Sequence, residues 1–320
     1  MDHYGRNIDY LRLSLTDRCQ LKCKYCIPSQ TNTCVSNEKL LKTSEIIEIA
    51  KVFSKLGVSK IKLTGGEPLL RKDAEMIVAS LKTICNIKEV TLTTNGILLE
   101  GKINQLASSG LDGINISLDT LNLNRYQTIT GKNSLDEVLK GLDNAISRNI
   151  KVKINCVLMI DNADTDEIIG IAKLAKDNPV HVRFIEFMPI GRGNYLKTVS
   201  ESCVQEILSQ QFGVLSPVTD KIGNGPAHYV EIKGFKGKIG FISAFSRYFC
   251  ADCNRVRLSC EGFLKTCLYF NQEVDLKPFL YTKELEKIII ENLKLKPKGH
   301  RFNEKQDICR EQKNMIQLGG

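Results

Sequence analysis

Three cysteines near the start of the chain are the residues best placed for metal chemistry. Cys19, Cys23 and Cys26 are spaced four and three residues apart and follow the strand-like run Tyr10–Leu15. Three thiolates that converge on one centre suit a four-iron cluster in which one iron has no protein ligand. Such an open iron can bind and transform a small molecule, beyond carrying electrons. A zinc knuckle or a set of buried thiols is the alternative for a bare pattern of this kind.

A second group of three cysteines lies in the last quarter of the chain. Cys250 and Cys253 form a Cys-x2-Cys pair, and Cys267 follows fourteen residues later. The spacing is compatible with zinc and with iron. A structural zinc site normally has four ligands, and no fourth is evident, because Cys260 lies inside a strand-like run and His228 is remote. Three ligands fit a second cluster with an open iron.

Polar residues alternate with apolar ones along several predicted strands. Arg12, Lys62 and Lys153 each lie between apolar neighbours that point to the opposite face. The pattern predicts a sheet with one face on helices and the other around a polar, partly cationic lumen that holds a charged ligand. Solvated edge strands are the alternative, since antiparallel sheets alternate in the same way.

Two glycine-containing turns follow predicted strands. The first is Thr64–Pro68 (Thr-Gly-Gly-Glu-Pro) and the second is Thr93–Gly96 (Thr-Thr-Asn-Gly). Paired glycines let the backbone approach a ligand closely and expose amide groups to it. Taken alone, both segments are ordinary turns.

Six strand–helix units position these groups. Strand-like runs alternate with amphipathic helical runs from about residue 11 to about residue 187, which predicts parallel strands with right-handed crossovers. The fold class is therefore α/β, a partial (βα)6 TIM-type barrel with catalytic groups at the carboxyl ends of its strands. Beyond Pro189 the pattern changes, and we predict a barrel domain over residues 1–189 and a smaller α+β region over residues 190–320. The predicted barrel strands are Tyr10–Leu15, Lys60–Thr64, Glu89–Thr94, Gly113–Leu118, Lys151–Leu158 and Val180–Phe187.

The composition is that of an ordinary globular protein, with 42% hydrophobic and 25% charged residues in a chain of 320. No run has the length of a transmembrane helix, and no signal-peptide core is evident, so a cytoplasmic protein is expected. The net charge of +9 favours an anionic ligand. Twelve cysteines in a reducing compartment indicate metal ligation over disulfides. We interpret the six cysteines without ligand spacing as small buried apolar side chains: Cys34, Cys85, Cys156, Cys203, Cys260 and Cys309.

The first cysteine loop resembles that of the radical S-adenosylmethionine (SAM) enzymes, with Tyr25 before its last cysteine. Within that superfamily, the chain is similar over essentially its whole length to the GTP 3′,8-cyclase family of molybdenum cofactor biosynthesis. The segments that carry this similarity are Thr16–Cys19, Leu63–Leu69, Thr93–Gly96, Ser117–Asp119, Ile129–Gly131, Phe184–Glu186 and the second cysteine set.

The resemblance implies two 4Fe–4S clusters, one on Cys19, Cys23 and Cys26 and one on Cys250, Cys253 and Cys267. It implies SAM contacts from Tyr25, Gly66, Ser117 and Met188. It implies GTP contacts from Arg12, Lys62, Thr93, Lys153, Arg255, Val256 and Arg257, with Lys62 standing where relatives commonly carry arginine. It also implies catalytic roles for Arg255, Arg257 and the terminal Gly319 and Gly320.

The chemistry that this family implies begins with a 5′-deoxyadenosyl radical that takes hydrogen from C3′ of GTP, followed by attack on C8 of guanine. The same resemblance implies an electron donor of the reductase, flavodoxin or ferredoxin type. It implies a homodimer, and cyclic pyranopterin monophosphate synthase as the downstream partner. No nucleic acid or membrane partner is expected.

Two other functions are compatible with parts of the pattern. A peptide-modifying radical SAM enzyme is disfavoured by the Arg255 and Arg257 pair and by the terminal Gly-Gly. A nucleic-acid binder with zinc or a cluster is disfavoured because no aromatic series interleaves with the basic residues.

Overall fold

The computed structural model describes residues 1–26, 34–160, 163–188, 190–191, 197–220, 222–244, 247–302 and 309–319. The barrel part contains six strands: β1 Tyr10–Ser14, β2 Lys60–Thr64, β3 Glu89–Thr94, β4 Gly113–Ser117, β5 Lys151–Leu158 and β6 His181–Glu186. Its helices are α1 Thr43–Lys55, α2 Ala74–Thr83, α3 Leu99–Ser108, α4 Leu123–Thr130, α5 Leu135–Ser147 and α6 Thr165–Asp177. The six predicted strands are thus confirmed, with ends that differ by at most one residue.

The remaining elements follow β6. The helices are α7 Glu201–Phe212, α8 Glu284–Lys294 and the short α9 Met315–Leu318. The strands are β7 Leu215–Val218, β8 His228–Ile232, β9 Ile239–Ile242, β10 Arg255–Leu258, β11 Phe263–Lys265 and β12 Val274–Asp275. None of the described helices combines the length and the apolar character that a membrane span requires.

All twelve described strands form one sheet in the order β12-β11-β10-β1-β2-β3-β4-β5-β6-β9-β8-β7. Strands β1 to β6 run parallel, as the strand–helix repeat predicts. At the two outer edges, β10 pairs in parallel with β1, and β9 pairs in parallel with β6. The strands beyond residue 190 therefore extend the barrel sheet at its two edges. The division into residues 1–189 and 190–320 stays a prediction.

The apolar faces of the strands pack against the helices. Leu11, Leu13, Ile61 and Leu63 are at most 1% exposed and belong to the same hydrophobic core as Phe53 of α1. The opposite face carries polar residues that are also buried: Ser14, Lys62, Thr64, Asn115 and Arg183. A solvated edge strand would leave such residues exposed, so the alternation reflects an enclosed polar lumen.

The six cysteines without ligand spacing do not share one environment. Cys85, Cys156 and Cys260 are buried, as expected of small apolar side chains. Cys34 and Cys203 are exposed and Cys309 is half-buried, so that interpretation is wrong for these three. The lack of ligand spacing argues against metal ligation by these cysteines. It does not indicate whether a cysteine in a loop or on a helix is buried or exposed.

Candidate active site

The first cysteine loop leaves the carboxyl end of β1 and is held by the end of α4. The N–H of Lys22 donates to the carbonyl of Thr130 at 2.8 Å, and that of Lys24 donates to Ile129 at 3.0 Å. Inside the loop, the N–H of Cys26 donates to the carbonyl of Cys23 at 2.9 Å. The loop therefore turns back on itself beside the lumen.

The three thiols of this loop lie close enough to affect one another's ionisation. Burial, together with the neighbouring Cys19, raises the pKa of Cys26 to about 12. Burial also raises the pKa of Cys23 well above its usual range, and Cys26 and Cys19 contribute to that rise. Clustered thiols of this kind ionise when a metal centre compensates their charge. Three converging sulfurs therefore fit an iron–sulfur cluster.

The Gly-Gly-Glu turn after β2 packs directly on the cysteine loop. A Cβ on Gly66 would lie 2.3 Å from the carbonyl oxygen of Arg18, and one on Gly65 would lie 2.4 Å from that of Thr16. The N–H of Gly66 donates to Thr16 and that of Glu67 donates to Arg18. These two amides are thus used within the protein, contrary to the expectation that the turn exposes them to a ligand. What the glycines permit is close backbone contact beside the thiols.

Glu67 is fully buried and links the ends of β2 and β3. Its carboxylate accepts hydrogen bonds from the N–H of Leu69 at 3.0 Å, the N–H of Asn95 at 2.7 Å and the hydroxyl of Thr94 at 2.8 Å. Burial raises its pKa to about 7, although these three bonds oppose the rise. The Asn95 amide in turn donates to Cys19 Sγ at 3.7 Å. The turn after β3 therefore also orients the first cysteine set.

The residues expected to bind SAM lie at the same end of the sheet. Ser117 is the last residue of β4, and Met188 follows β6; both side chains are half-buried. The Tyr25 hydroxyl donates to Asp119 Oδ2 at 2.7 Å, and its ring meets Phe187 edge-on at 6.3 Å. Burial raises the pKa of Asp119 to about 6. Tyr25 is therefore fixed across the gap between the cysteine loop and β4.

Basic side chains form a cationic cluster inside the lumen. Arg257, Arg12 and Lys62 are direct neighbours in register across β10, β1 and β2. Burial lowers the pKa of Lys62 well below its usual range, and the charges of Arg183, Arg12 and Lys153 lower it further. Burial lowers the pKa of Lys153 to about 8, with Arg183 adding to the effect. An anionic ligand such as a triphosphate would balance this buried positive charge.

Arg183 is a lumen residue that the sequence analysis did not single out. It is 7% exposed and lies in register with Asn155 on one side and Gly240 on the other. A Cβ on Gly240 would lie 3.0 Å from Arg183 Cγ and 2.7 Å from the Tyr229 ring, so the glycine makes room for both side chains. The available signal was its position between the apolar Val182 and Phe184 of β6, which pack in the core and so place Arg183 on the opposite, lumen face.

Two further residues expected to contact GTP occupy different settings. Thr93 lies in register with Asn115, and the Asn115 amide reaches its hydroxyl at 3.5 Å, so Thr93 faces the lumen. The Val256 side chain is 1% exposed and packs in the hydrophobic core. Only the backbone of Val256 is therefore placed to contact a ligand.

The second cysteine set lies at the opposite end of the lumen. Cys250 and Cys253 precede β10, which runs parallel to β1, so they lie near the amino ends of the barrel strands. Cys267 follows β11, which runs antiparallel to β10 and returns to that end. Burial raises the pKa of Cys250, and Cys267 and Cys253 add to the rise, so the three thiols again lie together.

The end of the chain enters the lumen from the side of the first cysteine set. Arg12 and Arg257 both donate to the carbonyl of Gly319 at 3.3 Å, and the backbone of Ile316 hydrogen-bonds to the Cys26 thiol. The segment is anchored further back by Glu311, which forms a buried ion pair with Lys265. Gly319 thus lies beside Arg257, with Arg12 as its second arginine neighbour, whereas Gly320 lies outside the described residues.

Two family models match most of this chain, and known relatives match it from end to end. The Radical SAM superfamily model matches residues 13–175, and the Molybdenum Cofactor Synthesis C model matches residues 180–302. The GTP 3′,8-cyclase of Clostridium perfringens (strain 13 / Type A) is 43% identical, with 100% of this chain and 99% of that protein covered. The GTP 3′,8-cyclase of Syntrophomonas wolfei is 38% identical with both chains covered completely.

Solved structures agree on the fold. Streptococcus suis SuiB bound to S-adenosylmethionine superposes with a TM-score of 0.64 at 16% identity, over 95% of this chain and 77% of that one. SuiB bound to its precursor peptide SuiA gives the same TM-score and identity, and at this identity the likeness concerns the fold alone. The relatives, in contrast, match at 38–43% identity from end to end. The chain therefore belongs to the GTP 3′,8-cyclase family of the radical SAM superfamily.

Proposed function

We propose that this chain is a lyase that converts GTP to 3′,8-cyclo-7,8-dihydro-GTP, the first step of molybdenum cofactor biosynthesis. One observation carries the proposal beyond family membership. Two separate three-cysteine sets lie at opposite ends of one lumen, and the lumen between them is lined by buried arginines and lysines. This arrangement accommodates a radical source at one end of the lumen and a polyanionic nucleotide between the two cysteine sets.

The first cysteine set would hold the 4Fe–4S cluster that membership in the radical SAM superfamily implies, and SAM would bind beside it. Held by Cys19, Cys23 and Cys26, the cluster together with SAM would supply radical chemistry for hydrogen abstraction from C3′ of the nucleotide. In the proposal, Tyr25, Gly66, Ser117 and Met188 hold SAM. Their shared location at the carboxyl ends of β1, β2, β4 and β6 supports this role.

Cys250, Cys253 and Cys267 would hold a second 4Fe–4S cluster. Among the described residues, no three His, Cys, Asp or Glu side chains are placed to ligate one metal ion. A cluster has a wider requirement, since each of its three thiolates binds a different iron. The thiols of Cys253 and Cys267 both act on that of Cys250, and this grouping supports a cluster over a single zinc ion.

The basic residues of the lumen would bind the triphosphate. Arg12 and Arg257 present planar guanidinium groups that engage phosphate oxygens in pairs, whereas Lys62 and Lys153 act as point charges. Arg183 belongs to the same cationic cluster by its electrostatic interaction with both lysines.

Thr93, Arg255 and the Val256 backbone would contact the rest of the nucleotide. Fixing the ribose against the base in this way removes much of the entropic barrier to ring closure.

The tail would shield the radical. Gly319 lies against Arg12 and Arg257, and a Cβ on it would lie 2.7 Å from Thr64 Oγ1, so only glycine fits this depth of insertion. A tail in this position would orient both arginines and exclude water from the reacting carbon. Arg255, Arg257, Gly319 and Gly320 are accordingly proposed as the residues that assist catalysis.

The interaction partners in the proposal rest on the family. They are an electron donor of the reductase, flavodoxin or ferredoxin type and cyclic pyranopterin monophosphate synthase as the enzyme that receives the product. A homodimer in the cytoplasm is proposed on the same ground.

The decisive experiment is anaerobic incubation of the iron-reconstituted protein with GTP, SAM and dithionite, followed by identification of the products. We expect 5′-deoxyadenosine and 3′,8-cyclo-7,8-dihydro-GTP in equal amounts. Formation of 5′-deoxyadenosine with GTP unchanged would indicate a different radical SAM reaction and would refute the proposal.

A further inference from the structure

Two buried cations connect the segments that carry the second cysteine set. The Arg6 guanidinium donates to the carbonyl of Cys250 at 2.9 Å, and also to carbonyls of Lys296, Pro297 and Lys298. Its charge is balanced by Asp2, whose carboxylate lies 2.5 Å from Arg6 Nε and is fully buried. Arg6 therefore ties the segment 296–298 to the first of the three cysteines.

The second cation is Lys296, which is 3% exposed. Its ammonium group donates to the carbonyl of Thr266 at 2.6 Å and to that of Arg255 at 2.7 Å. Thr266 directly precedes Cys267, and Arg255 lies two residues after Cys253. Lys296 thus bridges the backbones beside the other two cysteines.

Lys296 differs from Arg6 in its charge balance. Among the described residues, no carboxylate forms an ion pair with Lys296. The groups that favour its charged form are the nearby side chains of Cys253 and Cys267. A buried ammonium with carbonyl acceptors alone is costly, because carbonyl dipoles do not neutralise its charge. An ammonium group also carries three N–H donors, and the two carbonyls use two of them.

We propose that Lys296 is a positioning residue that supplies the counter-charge for the second cysteine set and for the cluster it holds. The inference rests on the proposed second cluster. A positive charge held beside thiolates and sulfides stabilises the more negative, reduced form of a cluster, so it raises the reduction potential. Lys296 accordingly orders the cysteine segments through its two carbonyl bonds and sets the potential through its charge.

Two substitutions separate these roles. Lys296→Gln keeps two N–H donors for the carbonyls and removes the charge, whereas Lys296→Arg keeps both the charge and the donors. Lys294→Gln makes the same charge change on an exposed residue two positions away and serves as the matched control. All three are made in full-length protein that carries Cys19→Ala, Cys23→Ala and Cys26→Ala, so that only the second cluster remains. The readouts are iron content and the midpoint potential from a dithionite titration followed by electron paramagnetic resonance.

We expect Lys296→Gln to lower the ratio of reduced to oxidised cluster at least about tenfold at a fixed potential, a shift of about 59 mV to more negative values for one electron. Lys296→Arg and Lys294→Gln should stay close to the background protein. Loss of iron from Lys296→Gln with retention in Lys296→Arg would support the same role, since both keep the carbonyl bonds. Full iron content with an unchanged potential in Lys296→Gln would overturn this inference and leave the second cluster intact. Absence of iron from the background protein would overturn both.

Discussion

Arg12 of β1 and Arg257 of β10 are direct neighbours in strand register, and both donate to the carbonyl of Gly319 at 3.3 Å. Burial lowers the pKa of both guanidinium groups, the charge of Arg12 lowers the pKa of Arg257 further, and the charge of Arg255 lowers both. A carbonyl dipole relieves part of that repulsion, and a phosphate would relieve more. The tail and the substrate are therefore expected to act on the same two arginines.

The tail is tested most directly at Gly319. Gly319 has φ +74°, and a Cβ there would lie 2.7 Å from Thr64 Oγ1 and 3.0 Å from Ser14 Cβ. A non-glycine residue in this conformation costs about 1–2 kcal/mol before any clash. We expect Gly319→Ala to lower the rate of cyclised product at least about tenfold, and deletion of Gly319 and Gly320 to abolish it. GTP binding and iron content should remain, as measured by equilibrium dialysis and iron analysis.

Gly234 provides the control for backbone strain. It has φ +86° in the turn between β8 and β9, with no atom within 4 Å of an added Cβ. Gly234→Ala should therefore leave the rate unchanged while introducing a similar conformational cost. Wild-type product formation by the truncated protein would show that the tail has no part in the reaction.

The basic lumen predicts graded effects on GTP binding. Lys62→Ala and Arg183→Ala each remove a charged group. Because hydrogen bonds to charged groups are worth about 1.5–3 kcal/mol, the affinity for GTP should fall roughly 10- to 100-fold in each variant. Lys62→Arg keeps the charge and should bind GTP more tightly than Lys62→Ala. Isothermal titration calorimetry measures each affinity. Lys140→Ala, which removes an exposed charge from α5, is the control. Equal affinity in all four proteins would place Lys62 and Arg183 outside the substrate site.

The second cysteine set predicts a change in metal content and in reaction outcome. Anaerobically reconstituted protein should contain about twice the iron of a variant with Cys250, Cys253 and Cys267 all changed to Ala. The variant retains the first set and should still cleave SAM to 5′-deoxyadenosine, but it should form no cyclised GTP. Stoichiometric zinc without iron in the unmodified protein would contradict both expectations.

Local sequence patterns predicted the barrel strands but not every element that supports the site. β5, for example, begins and ends where the alternation of Val152 and Ile154 with polar residues indicates. Helix α4 was not predicted, because its buried side chains are only Tyr126, Ile129 and Thr130 and give no strong apolar period. This helix nevertheless holds the cysteine loop through Ile129 and Thr130.

Contacts between distant parts of the chain were also beyond local patterns. The pairing of β10 with β1 joins residues about 245 positions apart, and it places the second cysteine set at the far end of the lumen. Arg183 was missed because β6 does not alternate cleanly. Glu186, the last residue of β6, is charged and yet buried. It accepts a hydrogen bond from the N–H of Glu201 at 3.1 Å. A charged residue that caps a helix start thus interrupts the pattern.

Lys153 predicts how GTP binding depends on pH. Burial and Arg183 lower its pKa to about 8, so the free site loses this charge as the pH rises through 8. A bound triphosphate favours the charged form and raises the pKa, so binding near and above pH 8 should be coupled to proton uptake. We expect GTP affinity to fall between pH 7 and pH 9. Calorimetry in buffers of different ionisation enthalpy should detect the proton taken up.

Lys153→Arg separates this effect from general changes in the protein. Arginine stays charged over the whole range, so the variant should lose the fall in affinity and the proton uptake together. Lys153→Met has no charge at any pH and should bind GTP weakly at pH 7 and at pH 9. The same decline with pH in Lys153→Arg as in the unmodified protein would assign the titration to another group, with Lys62, whose pKa burial also lowers, as the next residue to test.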